Sequence, residues 1–130
     1  MLGDKDVVPT IAVRDISIAT EFYEGTLGLR RADYESPDPT AILYRTGNAG
    51  LLVYQSQYAG TNEATSASWG VGDDFEEIVA ALGANGVPFE RYDDLPGTTR
   101  EGDVHHMGAL KAAWFRDPDG NILNIVNQGL

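Results

Sequence analysis

A chain of 130 residues, 42% apolar and 22% charged, has the size and composition of one globular domain with its own core. Twenty acidic residues against nine basic ones leave a net charge of −11, which excludes partners bound through phosphate neutralisation, both nucleic acid and anionic membranes. With no cysteine there are no disulfides, thiolate metal sites or cysteine nucleophiles; with no long apolar run and no signal-like start, a cytoplasmic location is expected.

Residues 7–13 predict a short strand, rich in β-branched side chains and closed by Arg14-Asp15. Asp15 is placed to cap the next helix, whose apolar residues Ile16, Ala19, Phe22, Tyr23 and Leu27 recur at helical spacing. Gly28 suits the left-handed position that ends it. Strands follow at 30–34, 41–45 and 51–55, the last two joined by a hairpin turn at Gly47-Asn48-Ala49-Gly50. A second helix is expected from an Asp73-x-x-Glu76 capping box and the stripe Phe75, Ile78, Val79 and Leu82, with Gly83 and Gly86 breaking it. Pro88 opens a strand at 89–92. Strands at 110–116 and 122–127 flank Asp117-Pro118-Asp119-Gly120, where proline fixes φ and glycine accepts a positive one. Asp117, Asp119 and Asp93-Asp94 accordingly read as turn residues rather than acid pairs.

The two halves repeat. A shift of 58 residues carries Val13-x-Asp15 onto Val71-x-Asp73, Gly28 onto Gly86 and Tyr34 onto Tyr92. A shift of 71 carries Tyr44-Arg45 onto Phe115-Arg116 and, after five-residue turns at 46–50 and 117–121, Leu51-Leu52 onto Ile122-Leu123. The second copy therefore holds a 13-residue insertion within 93–109. The fold class is α+β: one domain, 1–130, of two βαβββ modules at 7–56 and 66–128 with a linker at 57–65. Each module is expected to form a curved sheet with its helix on one face. The free faces then enclose a cavity, the default place for a ligand.

His105-His106 sit in the insertion, between Gly102 and Gly108, and read as part of a solvated loop. In a strand they would point to opposite faces. In a loop both could converge on an ion, with Glu101 and Asp103 nearby, or one could act as a general base; His106 is slightly preferred.

Val13-Arg14-Asp15 before Phe22-Tyr23 and Leu27-Gly28-Leu29, then Gly86-Val87-Pro88-Phe89, and above all Ala113-Trp114-Phe115-Arg116-Asp117-Pro118-Asp119-Gly120-Asn121 carry a family resemblance. The chain resembles the vicinal oxygen chelate superfamily, which contains glyoxalase I, extradiol dioxygenases and the bleomycin-resistance proteins. The likeness runs from Val8 to Asn127 and implies the paired βαβββ fold and a homodimer. It also implies one divalent metal held by His, Gln or Glu, at positions that fall here on Val8, Val53, Ser66 and Asn124. Valine has no donor atom, serine is a weak neutral ligand and an amide oxygen brings no charge. A catalytic ion wants about three imidazole or carboxylate ligands. No metal and no other cofactor is therefore expected, a divalent ion near His105 and His106 being the alternative.

Residues two apart on a strand share a face. If the ligand-equivalent positions line the cavity, Thr10, Val53, Ser66 and Asn124 do so, with Leu43 and Trp114 beside them. Trp69, Tyr44 and Phe115 then pack under the helices. Such an apolar lining suits an uncharged, partly flat compound that Trp114 can stack on, and an acidic rim suits a cationic one. The expected function is metal-independent small-molecule binding of the glyoxalase/bleomycin-resistance type. The alternatives are a lyase, isomerase or dioxygenase using a nonstandard ion or acid–base chemistry at His105 or His106, and an assembly subunit whose cavity its own side chains fill.

Overall fold

Asp15 ends the first strand and starts the first helix in one step. A computed structural model of the chain describes residues 1–34 and 36–129. In it the Asp15 carboxylate accepts from the amides of Ser17 (2.8 Å) and Ile18 (3.3 Å), satisfying two donors that the helix leaves open. β1 (Thr10–Val13) is followed by α1 (Ile16–Thr20), which widens into a π-helical turn, Glu21–Thr26. Gly28, at φ +74°, releases the chain as expected. β2 (Arg30–Arg31), β3 (Ala41–Thr46) and β4 (Ala49–Gln55) complete a first unit, Met1–Thr61, with sheet order β1-β4-β3-β2.

The second unit, Asn62–Leu130, repeats this order. It contains β5 (Thr65–Gly70), α2 (Phe75–Ala84), β6 (Phe89–Glu90), β7 (Thr99–Glu101), β8 (Val104–Met107), β9 (Leu110–Arg116) and β10 (Ile122–Val126). Its sheet runs β5-β10-β9-β8-β7, with β6 also on β9. In each unit the first strand lies parallel to the last and every other pair is antiparallel. Two mixed sheets, each with one α-helix on the described residues, are the expected α+β, βαβββ architecture. No helix among them is long and apolar enough to cross a membrane.

Local differences from the sequence reading have local causes. β1 starts at Thr10 rather than at residue 7 because Pro9 has no N–H for the ladder; its carbonyl still accepts from Leu52 at 2.9 Å. The Asp73–Glu76 capping box does not form: Gly72–Asp74 make a short 3₁₀ turn, Asp74 takes the cap position without a side-chain bond, and the Glu76 carboxylate reaches the Lys111 ammonium instead. The turn at Asp117 forms as expected. Its carboxylate accepts from the amides of Asp119 and Asn121, both at 2.9 Å, and from the Asn121 side chain at 2.8 Å, so it is occupied in holding the turn.

Strand register gives each sheet a helix-side face. In the first unit Ile11, Val13, Ile42, Tyr44, Leu51 and Val53 share it and are buried, and Tyr23 of the π-helical turn stacks on Tyr44 with ring centroids 6.1 Å apart. In the second, Ala113, Phe115, Leu123 and Ile125 share the corresponding face and are buried. The Tyr44 hydroxyl donates to Glu24 Oε1 at 3.2 Å, and Arg31 donates to the same oxygen at 2.6 Å.

Burial, reinforced by the Glu24 charge, pushes the Tyr44 phenol up from 10.0 to about 12. A group whose folded value is raised contributes stability that is complete below its unfolded value and disappears as pH rises through the folded one. Stability therefore falls between pH 10.0 and about 12, and tyrosinate absorbance shows Tyr44 ionising late. Tyr44→Phe diminishes the late phase, to which the Tyr92 phenol, also raised by burial, still contributes, and costs about 1 kcal/mol at neutral pH through the lost hydrogen bond. Six tyrosines ionising together would contradict this.

Candidate functional site

Two glycine-led turns build the site. Gly102-Asp103 and Gly108-Ala109 are two-residue connections, each with its glycine at φ +60°, a geometry that reverses a chain without splaying its strands. The inserted segment is thus not the solvated loop expected from its polarity. It is a β7–β8–β9 meander, in which Glu101 opposes Val104 and Met107 opposes Leu110.

Register then sets the faces. His105 opposes Ala112 on β9, and Trp114 opposes Asn124 on β10, so these four side chains point the same way. Lys111 points the other way, toward Glu76 of α2, so the His105 face is the one away from the helix. His106 shares the Lys111 side, with Nε2 3.7 Å from Glu101 Oε2. The face away from the helix thus carries His105 and not the slightly preferred His106. The two imidazoles do not converge on one ion.

His105, Ala112, Trp114 and Asn124 line a pocket of about 100 Å³ with Thr98, Met107, Leu110 and Val126. A dry cavity of about 150 Å³ holds a benzene ring, so this one, open on one side, takes the edge of a flat group. His105 meets the Trp114 ring edge-to-face at 4.9 Å, and Tyr92 meets Trp114 at 5.5 Å. Trp114 Nε1–H donates to Thr65 Oγ1 at 3.2 Å, fixing the indole.

The His105 ring is 1% exposed and its Nε2 accepts the Tyr92 backbone N–H at 2.9 Å. A backbone amide can only donate, so Nε2 is unprotonated and the neutral ring carries its proton on Nδ1. That Nδ1 has no partner among the described residues, and neither does Oδ1 of Asn124, which is 6% exposed. One donor and one acceptor, both buried and both unmatched, therefore belong to side chains of the same pocket. Each costs about 1–3 kcal/mol while it stays so.

The segment after β6 is stitched onto this hairpin. Arg100, opposite His105, grips Asp93 through two bonds of 2.7 and 3.1 Å and donates to the Gly102 carbonyl at 2.7 Å; Arg91 reaches Asp103 at 3.1 Å. Arg100 holds the Asp93 carboxyl below its ordinary value. Asp93 is thus an ion-pair residue as well as a loop residue. β6 ends at Glu90, short of the expected residue 92, and the N–H of Tyr92 turns to a side chain instead of a ladder.

Other expected site residues fall elsewhere. Thr10 is exposed and donates its hydroxyl to the Val8 carbonyl at 3.2 Å. Leu43 lies on the face away from α1, beside a wider groove of about 490 Å³ that also borders Val8, Arg45 and Gly50. Val53 is fully buried on the helix side, paired with Ile11, and offers nothing to a ligand. Between the equivalent cross-strand pairs Arg45–Gly50 and Arg116–Ile122 the first unit has one residue fewer than the second. Leu43 consequently opposes Leu52, as Trp114 opposes Asn124, and Leu52 replaces Val53 as the counterpart of Asn124. Ser66 is the extra residue of a bulge between the Ile122–Thr65 and Leu123–Ala67 pairs.

This donor set does not fit the divalent ion that the resemblance implies. Val8 and Leu52 have no donor atom, and Ser66 and Asn124 bring no charge. Among the described residues no three His, Asp or Glu side chains gather closely enough to hold a metal. Sequence reasoning missed Tyr92 as the anchor of His105. The two Gly-X pairs at 102–103 and 108–109 were the available signal for the hairpin that creates the pocket.

The sequence profile of the glyoxalase/bleomycin resistance protein/dioxygenase superfamily matches residues 7–125. No curated protein matches the sequence. Among solved structures, the chain is similar to the fosfomycin resistance protein FosX from Mesorhizobium loti, at 17% identity and TM-score 0.65 over 100% of this chain and 95% of that one. A lactoylglutathione lyase from Agrobacterium tumefaciens is similar at 17% identity and TM-score 0.67, covering 97% and 95%. A glyoxalase/bleomycin resistance protein/dioxygenase from Alicyclobacillus acidocaldarius is similar at 22% identity and TM-score 0.66, covering 97% and 93%. At these identities the likeness is one of fold.

His105→Ala removes the acceptor of the Tyr92 amide, whose hydrogen exchange should accelerate roughly tenfold or more, whereas His106→Ala should leave it unchanged. Equal exchange in the two variants would contradict the assigned roles.

Proposed function

This chain belongs to the glyoxalase/bleomycin resistance protein/dioxygenase superfamily, and we propose that it is a member that binds a small, uncharged, partly flat organic molecule without a metal ion, on the Trp114 face of its second unit. The observation that carries this reading is the chemistry at the family's ligand positions: Val8, Leu52, Ser66 and Asn124 offer no imidazole and no carboxylate.

What remains is a site built for an organic ligand. Apolar surface of Trp114, Ala112, Leu110 and Val126 drives binding at about 25 cal/mol per Å² removed from water, and the unmatched polar pair orients what binds. A cationic ligand is disfavoured here, because the unmatched ring atom of His105, a residue that lines the pocket, is a donor. The enzymatic alternative finds less support. A general base needs a free imidazole lone pair toward its substrate, and that of His105 is engaged by Tyr92. We read the protein as a homodimer in the cytoplasm, on the family resemblance for the first and the absence of cysteine for the second.

Fluorescence of a Trp69→Phe variant reports on Trp114 alone. Acetophenone should quench it saturably, and exhaustive dialysis against a chelator should leave the titration unchanged. Quenching that is abolished by the chelator and restored by zinc, or a stoichiometric metal lost on substituting His105 and His106 by alanine, would overturn the proposal.

A further inference from the structure

The unmatched pair specifies more than a binding surface. His105 Nδ1–H can only donate and Asn124 Oδ1 can only accept. Both side chains are more than nine-tenths buried and both line the Trp114 pocket. Tyr92 holds the far nitrogen of His105, and the Asn124 backbone sits mid-strand opposite Trp114. A ligand group that satisfies both must accept one hydrogen bond and donate another, and must do so without charge. An anion would set its oxygens against Asn124 Oδ1. A cation would set its donors against His105 Nδ1–H. A purely apolar group would leave both orphaned, at a cost that sites of this kind turn into rejection.

We propose that the pocket recognises the neutral acceptor-plus-donor edge of a carboxamide, lactam or hydroxyl carried on a flat ring, with its oxygen on His105 Nδ1–H, its N–H or O–H on Asn124 Oδ1, and the ring against Trp114. The inference rests on the small-molecule reading of the same face and adds the chemical class of the ligand.

Five probes that share a benzene ring separate the cases: benzamide, benzyl alcohol, benzoate, benzylammonium and toluene, each titrated against Trp114 fluorescence in the Trp69→Phe protein. Benzamide or benzyl alcohol should bind roughly tenfold or more tighter than the other three, and the stronger of the two tells amide from hydroxyl. Asn124→Asp is nearly isosteric and exchanges the neutral acceptor for a charged one. It should erase the advantage of benzamide over benzylammonium, while Asn124→Leu should bring benzamide down to the level of toluene. Equal binding of benzamide and toluene to the unsubstituted pocket would overturn the inference, the pair then being satisfied by water alone, and would leave the small-molecule reading standing. Benzamide binding indifferent to both Asn124 variants would also overturn it. Binding of none of the five would overturn both.

Discussion

One hydrogen bond decides what the second unit can do. The backbone N–H of Tyr92 donates to Nε2 of His105, a residue of the pocket wall, and this places the ring's only proton on the opposite nitrogen. Without that bond His105 would be an adaptable imidazole, able to present either nitrogen. With it, the side chain becomes a fixed donor, while the amide oxygen of Asn124, on another strand of the same pocket, is an unmatched acceptor. The surrounding ion pairs are exposed and individually weak, but together they hold the Tyr92 segment against the β7–β8 hairpin.

The same sheet chemistry explains why a fold associated with metal ligation carries no such ligands here. A ligand position on a β-strand is defined by its face, and its neighbours on that face are two residues away. At those places this chain puts Val8, Leu52 and Asn124, which are apolar or neutral, and it spends its acidic residues on caps, turns and surface ion pairs. The most buried carboxylate among the described residues, Asp117, is occupied with the amides of its own turn. The charge of −11 is therefore a property of the surface and of the turns, while the pocket itself is neutral.

Much of the fold was legible because local rules agree with one another. The Asp15 cap, the glycine after the first helix and the Asp117–Gly120 turn each form where residue type dictates, and the two-fold repeat predicts the shared strand order of the units. The site was legible only in part. Leu43, Trp114 and Asn124 take the expected face, but Val53 does not, because one residue of difference between two turns flips every side chain that follows. The β7–β8 hairpin escaped because its strands are short and polar, and its signal lies in two Gly-X dipeptides rather than in any apolar alternation. The Tyr92–His105 bond escaped for a different reason. It joins a backbone group to a side chain 13 residues away, a pairing that no periodicity encodes.

Long-range proton–nitrogen correlation spectra of the His105 ring give the most direct measurement. The ring should appear as the tautomer with its proton on Nδ1 and a lone pair on Nε2, and the Nδ1 resonance should move when benzamide is added while that of His106 does not. A His105 ring that carries its proton on Nε2 would contradict the assignment on which the pocket's selectivity rests.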